Sequence, residues 1–184
     1  MILNRAFYER DTEIVAKELL GKIIVRVYGK FLLKGKIVET EAYYGKEDPA
    51  SRVYYGKPKY VVELMKGEVG RALVYNVHNN WLLNVVAHEK NKVGAVLIRS
   101  IKPIAGIKIM MKNRKIENIS NLTNGPGKLT KAFLIDKSFN NIDLTNEESI
   151  LKIIDNKEKL EIKSSKRIGV SKDLDRNLRF FIQK

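Results

Sequence analysis

Glu39 and Glu41, followed by Tyr43, are the residues in this 184-residue chain whose types and spacing best suit chemistry. They lie between Phe31 and Tyr44, an apolar and β-branched run that reads as a strand. Successive strand side chains alternate between faces, which predicts Ile37, Glu39, Glu41 and Tyr43 on one side and Val38, Thr40 and Ala42 on the other. The Cβ atoms of the two glutamates are then about 7 Å apart. A carboxylate so placed accepts a proton from water or stabilises positive charge developing on a sugar, and the neighbouring ring stacks on a planar base. Two glutamates on a strand are more often solvated, or paired with lysines such as Lys34 and Lys36, than catalytic. With Asp48 they would instead form a carboxylate triad for Mg²⁺, as in a nuclease. The pattern alone leaves all three readings open.

Composition narrows the chemistry. There is no cysteine, which excludes disulfides, thiolate metal sites and thiol catalysis. His78 and His88 are the only histidines, so a His-rich metal site is excluded too. A formal net charge of +14 favours a polyanionic partner, for which nucleic acid is the default. A set of solvated surface lysines explains that charge equally well. No apolar run approaches the roughly 20 residues of a membrane span. Asn4, Arg5, Glu9 and Arg10 interrupt the apolar stretch that a secretory leader requires. The expectation is a protein with no membrane association, in the cytoplasm or nucleoid, or in the nucleus if the source is eukaryotic.

These residues need a scaffold to hold them. Asp11 reads as the N-cap of a helix with Ile14, Val15, Leu19 and Leu20 on one face, closed by Gly21. Ile23–Val27 and Leu32–Tyr43 read as strands joined at Tyr28-Gly29-Lys30. Pro58–Met65 is expected as a short helix, and Ala72–Val77 and Val93–Ile101 as strands. Helices are expected over Ile104–Met111 and Leu129–Leu134, and closing strands over Ile168–Val170 and Arg179–Ile182. Residues 140–166 read as a peripheral hairpin. Several strands follow one another without a helix between them. This points to an α/β fold of the α+β type, with a mixed or antiparallel curved sheet ringed by helices. No linker or repeat divides the chain, so residues 1–184 are expected to form a single domain.

An ordered series of motifs runs along nearly the whole chain. Glu18-Leu19-Leu20-Gly21-Lys22 is followed by Gly35-Lys36-Ile37-Val38-Glu39-Thr40-Glu41-Ala42-Tyr43 and by Glu47-Asp48-Pro49-Ala50-Ser51. Val96-Leu97-Ile98-Arg99, Asn124-Gly125-Pro126-Gly127-Lys128-Leu129, Arg167-Ile168-Gly169-Val170 and Leu178-Arg179-Phe180 complete it. In order and spacing the series resembles the alkyladenine (3-methyladenine) DNA glycosylase family. The resemblance implies a monofunctional enzyme, working as a monomer on double-stranded DNA without metal or cofactor. It would flip out alkylated or deaminated purines, of the 3-methyladenine, 7-methylguanine, hypoxanthine and ethenoadenine class, and hydrolyse the N-glycosidic bond. Position by position, Glu41 corresponds to the general base and Arg99 to an arginine holding the nucleophilic water. Tyr43 and Tyr75 correspond to the walls of a stacking sandwich, with Ala50 and position 52 completing the base-binding set. Asn84 corresponds to an asparagine that excludes guanine.

The chain departs from the family pattern in two places. Where the family carries a histidine after the Asp-Pro-Ala-Ser motif, this chain has Arg52, which stays charged and should repel a cationic base. The wedge stretch is one residue shorter and reads Asn76-Val77-His78-Asn79-Asn80-Trp81. His78, Asn79 and Asn80 are the wedge candidates, and Trp81 is assigned to the core. Lys128, beside the two glycines that precede a helix, is a candidate phosphate contact. Lys108, Lys112, Arg114 and Lys115 would extend a phosphate track or form a solvated helix face. The alternatives to a glycosylase are a non-catalytic nucleic-acid-binding module and a metal-dependent nuclease.

Overall fold

A computed structural model describes residues 1–182. The chain opens with a helical turn, α1 (Arg5–Tyr8), and then α2 (Thr12–Glu18). The Asp11 carboxylate caps α2, accepting from the backbone N–H of Glu13 at 2.9 Å and of Ile14 at 3.2 Å. The buried face of α2 is Thr12, Val15, Ala16 and Leu19, a spacing of three and four. Ile14, expected on that face, is exposed.

Next come β1 (Ile23–Tyr28) and the long β2 (Phe31–Tyr43), an antiparallel hairpin closed at residues 29 and 30. Two short helices follow, α3 (Arg52–Tyr55) and α4 (Lys59–Met65). A second hairpin pairs β3 (Ala72–Val77) with β4 (Asn80–Val86). β5 (Ala95–Ala105), α5 (Ile107–Arg114) and α6 (Pro126–Phe133) complete the middle of the chain. The last strands are β6 (Leu151–Ile154), β7 (Ile162–Ser165) and β8 (Arg179–Ile182).

All the strand pairings are antiparallel, in the order β3-β4-β5-β2-β1-β6, with β8 joining β2 and β7 joining β8. The result is one curled sheet with helices around it, the α+β architecture expected. Tyr8, Leu19, Ile37, Leu83, Ile98, Phe133 and Phe180 are fully buried in a common core. α6 packs on β4 and β5, its Thr130 hydroxyl donating to Trp81 O at 2.7 Å. Trp81 is half-buried against the core, as its apolar neighbours Leu82 and Leu83 suggested.

Some expectations need correction. β4 was not anticipated as a strand, because the polar stretch at 76–80 hid the tight turn feeding it. Ile104 and Ala105 still belong to β5, and the helix starts only after Gly106, whose φ of +74° breaks the strand. Ile168–Val170 is not a strand, since Ile168 spends its N–H on a side chain rather than on a ladder. Residues 140–166 are no hairpin: β6 pairs with β1 and β7 with β8, so the segment straddles two parts of the sheet.

Candidate active site

The alternation predicted for β2 fails at one point, and that failure builds the site. Leu33 and Ile37 are in the core, but so are Thr40 and Ala42. Opposite β5 the register shifts on both sides of Glu39, with Ile37 facing Ile101, Glu39 facing Ser100 and Val38 facing no residue. Arg99 of β5 is likewise left without a partner at the second shift, so the irregularity reverses the phase of β2 while the two strands keep step from Ile37 to Thr40. Ile37 therefore faces the core, away from the face expected for it, while Glu39, Glu41 and Tyr43 stay together on the other face. The irregularity is also where β2 changes neighbour. Residues 31–36 pair with β1, and residues 39–41 pair with β8.

Glu41 is completely buried. One of its oxygens, Oε1, accepts from Ile168 N–H at 2.8 Å. The other, Oε2, accepts from the Tyr43 hydroxyl at 2.8 Å and from Arg99 Nη1 at 3.2 Å. Burial pushes the Glu41 carboxyl above the ordinary glutamate value; Arg99, the Ile168 N–H and Tyr43 pull it down without cancelling that rise, and Glu39 adds to it. Burial also raises the Tyr43 phenol far above its usual range, so Tyr43 remains a donor. Glu39 binds two guanidinium groups through one oxygen, Arg99 Nε at 2.9 Å and Arg179 Nε at 2.7 Å. Arg99 thus has the carboxylate partners that its half-buried position requires.

A cavity of about 510 Å³ opens beside this cluster. Tyr43, Arg99 and Ile168, the three residues that bind Glu41, all line it. Glu41 therefore lies one layer beneath the wall. Ala50, Arg52, Tyr75, His78, Asn80 and Lys128 also line the cavity. The sheet and its loops have gathered most of the candidates around one opening.

Two candidates stand apart from it. Asn84 is buried one layer deeper, its amide donating to Leu73 O at 3.3 Å and Leu82 O at 3.4 Å. It lines a separate, much smaller space of about 10 Å³, together with Tyr43, Arg52 and Tyr75. Asn79 is at the exposed tip of the β3–β4 hairpin and does not line the cavity. Both turn residues, His78 at φ +47° and Asn79 at φ +60°, are left-handed, as a two-residue hairpin turn demands. His78 and Asn80 rise beside the mouth of the cavity. Gly127, at the start of α6, approaches Asn80 so closely that an added Cβ would lie 2.7 Å from the Asn80 side-chain oxygen. The Lys128 ammonium is held by Asn121 and by Asn124, the latter at 2.9 Å. Lys108, Lys112 and Lys115 are exposed on or just after α5, whereas Arg114 turns inward to Leu122 O at 3.0 Å.

Sequence reasoning missed Arg167. Its side chain is sealed from solvent and grips Asp48 through two bonds of 2.7 Å, Asp173 at 2.5 Å and Ala42 O at 2.8 Å. Its guanidinium lies 4.5 Å from the Tyr43 ring centre. Asp48 is thus committed to Arg167 and does not join Glu39 and Glu41 in a metal triad. Among the described residues no group of three His, Asp or Glu side chains is arranged to hold a metal ion. The Arg167-Ile168-Gly169-Val170 motif was visible in the sequence. Its role, with Ile168 capping Glu41 and Arg167 backing Tyr43, depends on contacts 119 and 127 positions away.

The sequence profile of the family described as methylpurine-DNA glycosylase (MPG) matches residues 6–184. A relative from Clostridium perfringens (strain SM101) is 44% identical over 181 residues, covering 92% of this chain and 88% of the relative. One from Aeropyrum pernix is 38% identical over 184 residues, covering 98% and 89%. Another, from Clostridium novyi, is 44% identical over 177 residues, covering 91% and 87%. All three carry provisional names as 3-methyladenine DNA glycosylases. Profile and relatives agree with the ordered motifs, and the chain belongs to the methylpurine-DNA glycosylase family, the DNA glycosylases of base excision repair that act on alkylated purines.

Proposed function

We propose that this protein binds double-stranded DNA as a monomer, flips out a damaged purine and hydrolyses its N-glycosidic bond with a water activated by Glu41. The observation that carries the reading is the buried Glu41 carboxylate, suspended just behind a cavity wall made of its own three hydrogen-bond donors. Water entering between Arg99 and Ile168 meets a carboxylate whose raised pKa makes it a better base than an ordinary glutamate.

In the reaction, the bond between the sugar C1′ and the purine nitrogen breaks, and its electron pair leaves with the purine. Positive charge builds on the sugar, where the Glu41 carboxylate stabilises it. The water oxygen bonds to C1′ and its proton passes to Glu41. A purine alkylated at N3 or N7 is already cationic and departs neutral, without a general acid. Tyr43 and Tyr75 supply the stacking faces, and the exposed His78-Asn79 turn fills the gap left in the duplex. Among the described residues Lys128 is the only lysine lining the cavity, and its ammonium is bound to two asparagines. That arrangement favours water over an amine as the nucleophile, the monofunctional course.

The test is incubation with duplexes carrying hypoxanthine, ethenoadenine or 7-methylguanine in EDTA, followed by alkali. Abasic product in EDTA, lost in Glu41→Gln, is the expected result. Tight binding without product would leave a non-catalytic module. Strand scission only with Mg²⁺ would leave a nuclease.

A further inference from the structure

Both stacking tyrosines already carry a guanidinium, and the two differ in one respect. Arg167, behind Tyr43, is neutralised by Asp48 and Asp173. Arg52 lies over the Tyr75 ring, its central carbon 5.4 Å from the ring centre, and none of the ion pairs among the described residues includes it. It is half-buried, so its charge is only partly screened by water.

Arg52 also has a fixed starting point. It is the first residue of α3, and the buried Ser51 hydroxyl before it accepts from Val53 N–H at 3.2 Å. Asp48 accepts from Tyr44 N–H and Ala50 N–H while clamped to Arg167. The loop entering α3 is therefore anchored at both ends, and the Arg52 side chain is aimed at Tyr75.

Its position divides two spaces. Arg52 lines the large cavity and also the small space lined by Tyr43, Tyr75 and Asn84. At about 10 Å³, the small space holds at most a single water. A purine seated between the two tyrosines must move Arg52 off the Tyr75 ring.

We propose that Arg52 is a specificity-determining residue, a charged gate that favours neutral 6-oxopurines such as hypoxanthine over cationic alkylpurines. The proposal rests on the glycosylase reading and sharpens its substrate class. A displaced guanidinium remains beside the base. Against a purine made cationic by alkylation it is a like charge in a partly desolvated site. Against hypoxanthine it is a planar donor facing two acceptors, O6 and N7, the edge that arginine reads through two parallel hydrogen bonds. Methylation at N7 removes one acceptor and adds the charge, so 7-methylguanine loses on both counts.

The test compares wild type, Arg52→Ala and Arg52→Lys on duplexes identical but for hypoxanthine or 7-methylguanine. Single-turnover excision is measured on each, and duplex affinity is measured in the Glu41→Gln background. Arg52→Ala should lower the hypoxanthine-to-7-methylguanine ratio at least tenfold in both readouts. Arg52→Lys keeps the charge without the planar fork. It should continue to disfavour 7-methylguanine while losing the gain on hypoxanthine. A phosphate contact by Arg52 would weaken every duplex alike; a ratio unchanged within twofold in Arg52→Ala therefore overturns the proposal. If the wild type excises nothing, the glycosylase reading falls, and the affinity ratio alone still decides the role of Arg52.

Discussion

Two clusters of arginines and carboxylates meet at Tyr43, and they handle charge in opposite ways. Behind the ring, Arg167 is surrounded by two carboxylates and a carbonyl, each of its three nitrogens donating. Burial works to lower the Arg167 pKa, but the bonds from Asp48 and Asp173 outweigh it and the net shift is upward. In front of the ring, Glu41 is just as buried and has three donors, yet burial still wins and its carboxyl is pushed up. Neighbouring side chains explain the difference. Arg167 takes two carboxylates for itself, whereas Arg99 divides its attraction between Glu41 and Glu39. The clusters differ in how the donors are shared, since Arg167 spends all three nitrogens on the rear cluster, whereas Glu41 receives a single Arg99 nitrogen at 3.2 Å.

Replacing the ready carboxylate gives the largest change expected. Glu41→Gln should lower single-turnover excision on the order of 100- to 10,000-fold, the usual contribution of a positioned proton acceptor. The fold should survive, because glutamine keeps an acceptor for the Ile168 N–H. Residual excision within tenfold of wild type would mean that the proton goes elsewhere.

Breaking the clamp should act on stability first. Arg167→Leu leaves the buried Asp48 and the partly exposed Asp173 without their counter-ion and should destabilise the protein by about 3–5 kcal/mol. Chemical denaturation reads this directly. A loss below about 1 kcal/mol, inside the range of a surface pair, would show that the clamp is solvated and the contrast with Glu41 false. Glu39→Gln should be milder, since Glu39 touches Arg99 and Arg179 rather than Glu41. Losing a charge-assisted hydrogen bond of roughly 1.5 kcal/mol should slow excision about tenfold through misplacement of Arg99. An effect as large as that of Glu41→Gln would exchange the roles of the two glutamates.

The sequence made the front cluster legible and hid the rear one, for a physical reason. Glu39, Glu41 and Tyr43 are neighbours on one strand, so a period of two brings them together without tertiary information. Periodicity reached them even though the phase was lost at Val38, because the unpaired Val38 lies just before Glu39. Arg99 ended an apolar strand, and the penalty for an unpaired charge pointed to Glu39 or Glu41 as its partner. Arg167, Asp48 and Asp173 carry no shared period, and only the folded chain joins them. The hairpin was hidden for another reason: His78 and Asn79 adopt left-handed backbone without the glycine that normally marks such a turn. The strands β1, β2, β3 and β5 and the gathering of the carboxylates were readable locally. The small space between Tyr43, Arg52 and Tyr75 was not, since α3 reaches Tyr75 only through the anchored loop.

The subtlest difference between the clusters lies in their response to pH. The folded Glu41 carboxyl binds its proton more tightly than a glutamate in the unfolded chain, because its pKa is raised above the ordinary 4.5. As pH falls through that raised value, the folded state takes up the proton first and gains stability; as pH rises through it, that gain is lost. Activity runs the other way, since only the ionised carboxylate accepts a proton from water. Excision should therefore fall on an acid limb whose midpoint lies above 4.5, while the stability difference between wild type and Glu41→Gln should shrink as pH falls through the same window. At neutral pH, Glu41→Gln should melt at or above the wild-type temperature, whereas Arg167→Leu should melt well below it. Melting curves and single-turnover rates across the acid range check both limbs on the same samples. An acid limb at or below the ordinary glutamate value, or a Glu41→Gln variant that melts well below wild type at neutral pH, would make Glu41 a second clamp and remove the contrast.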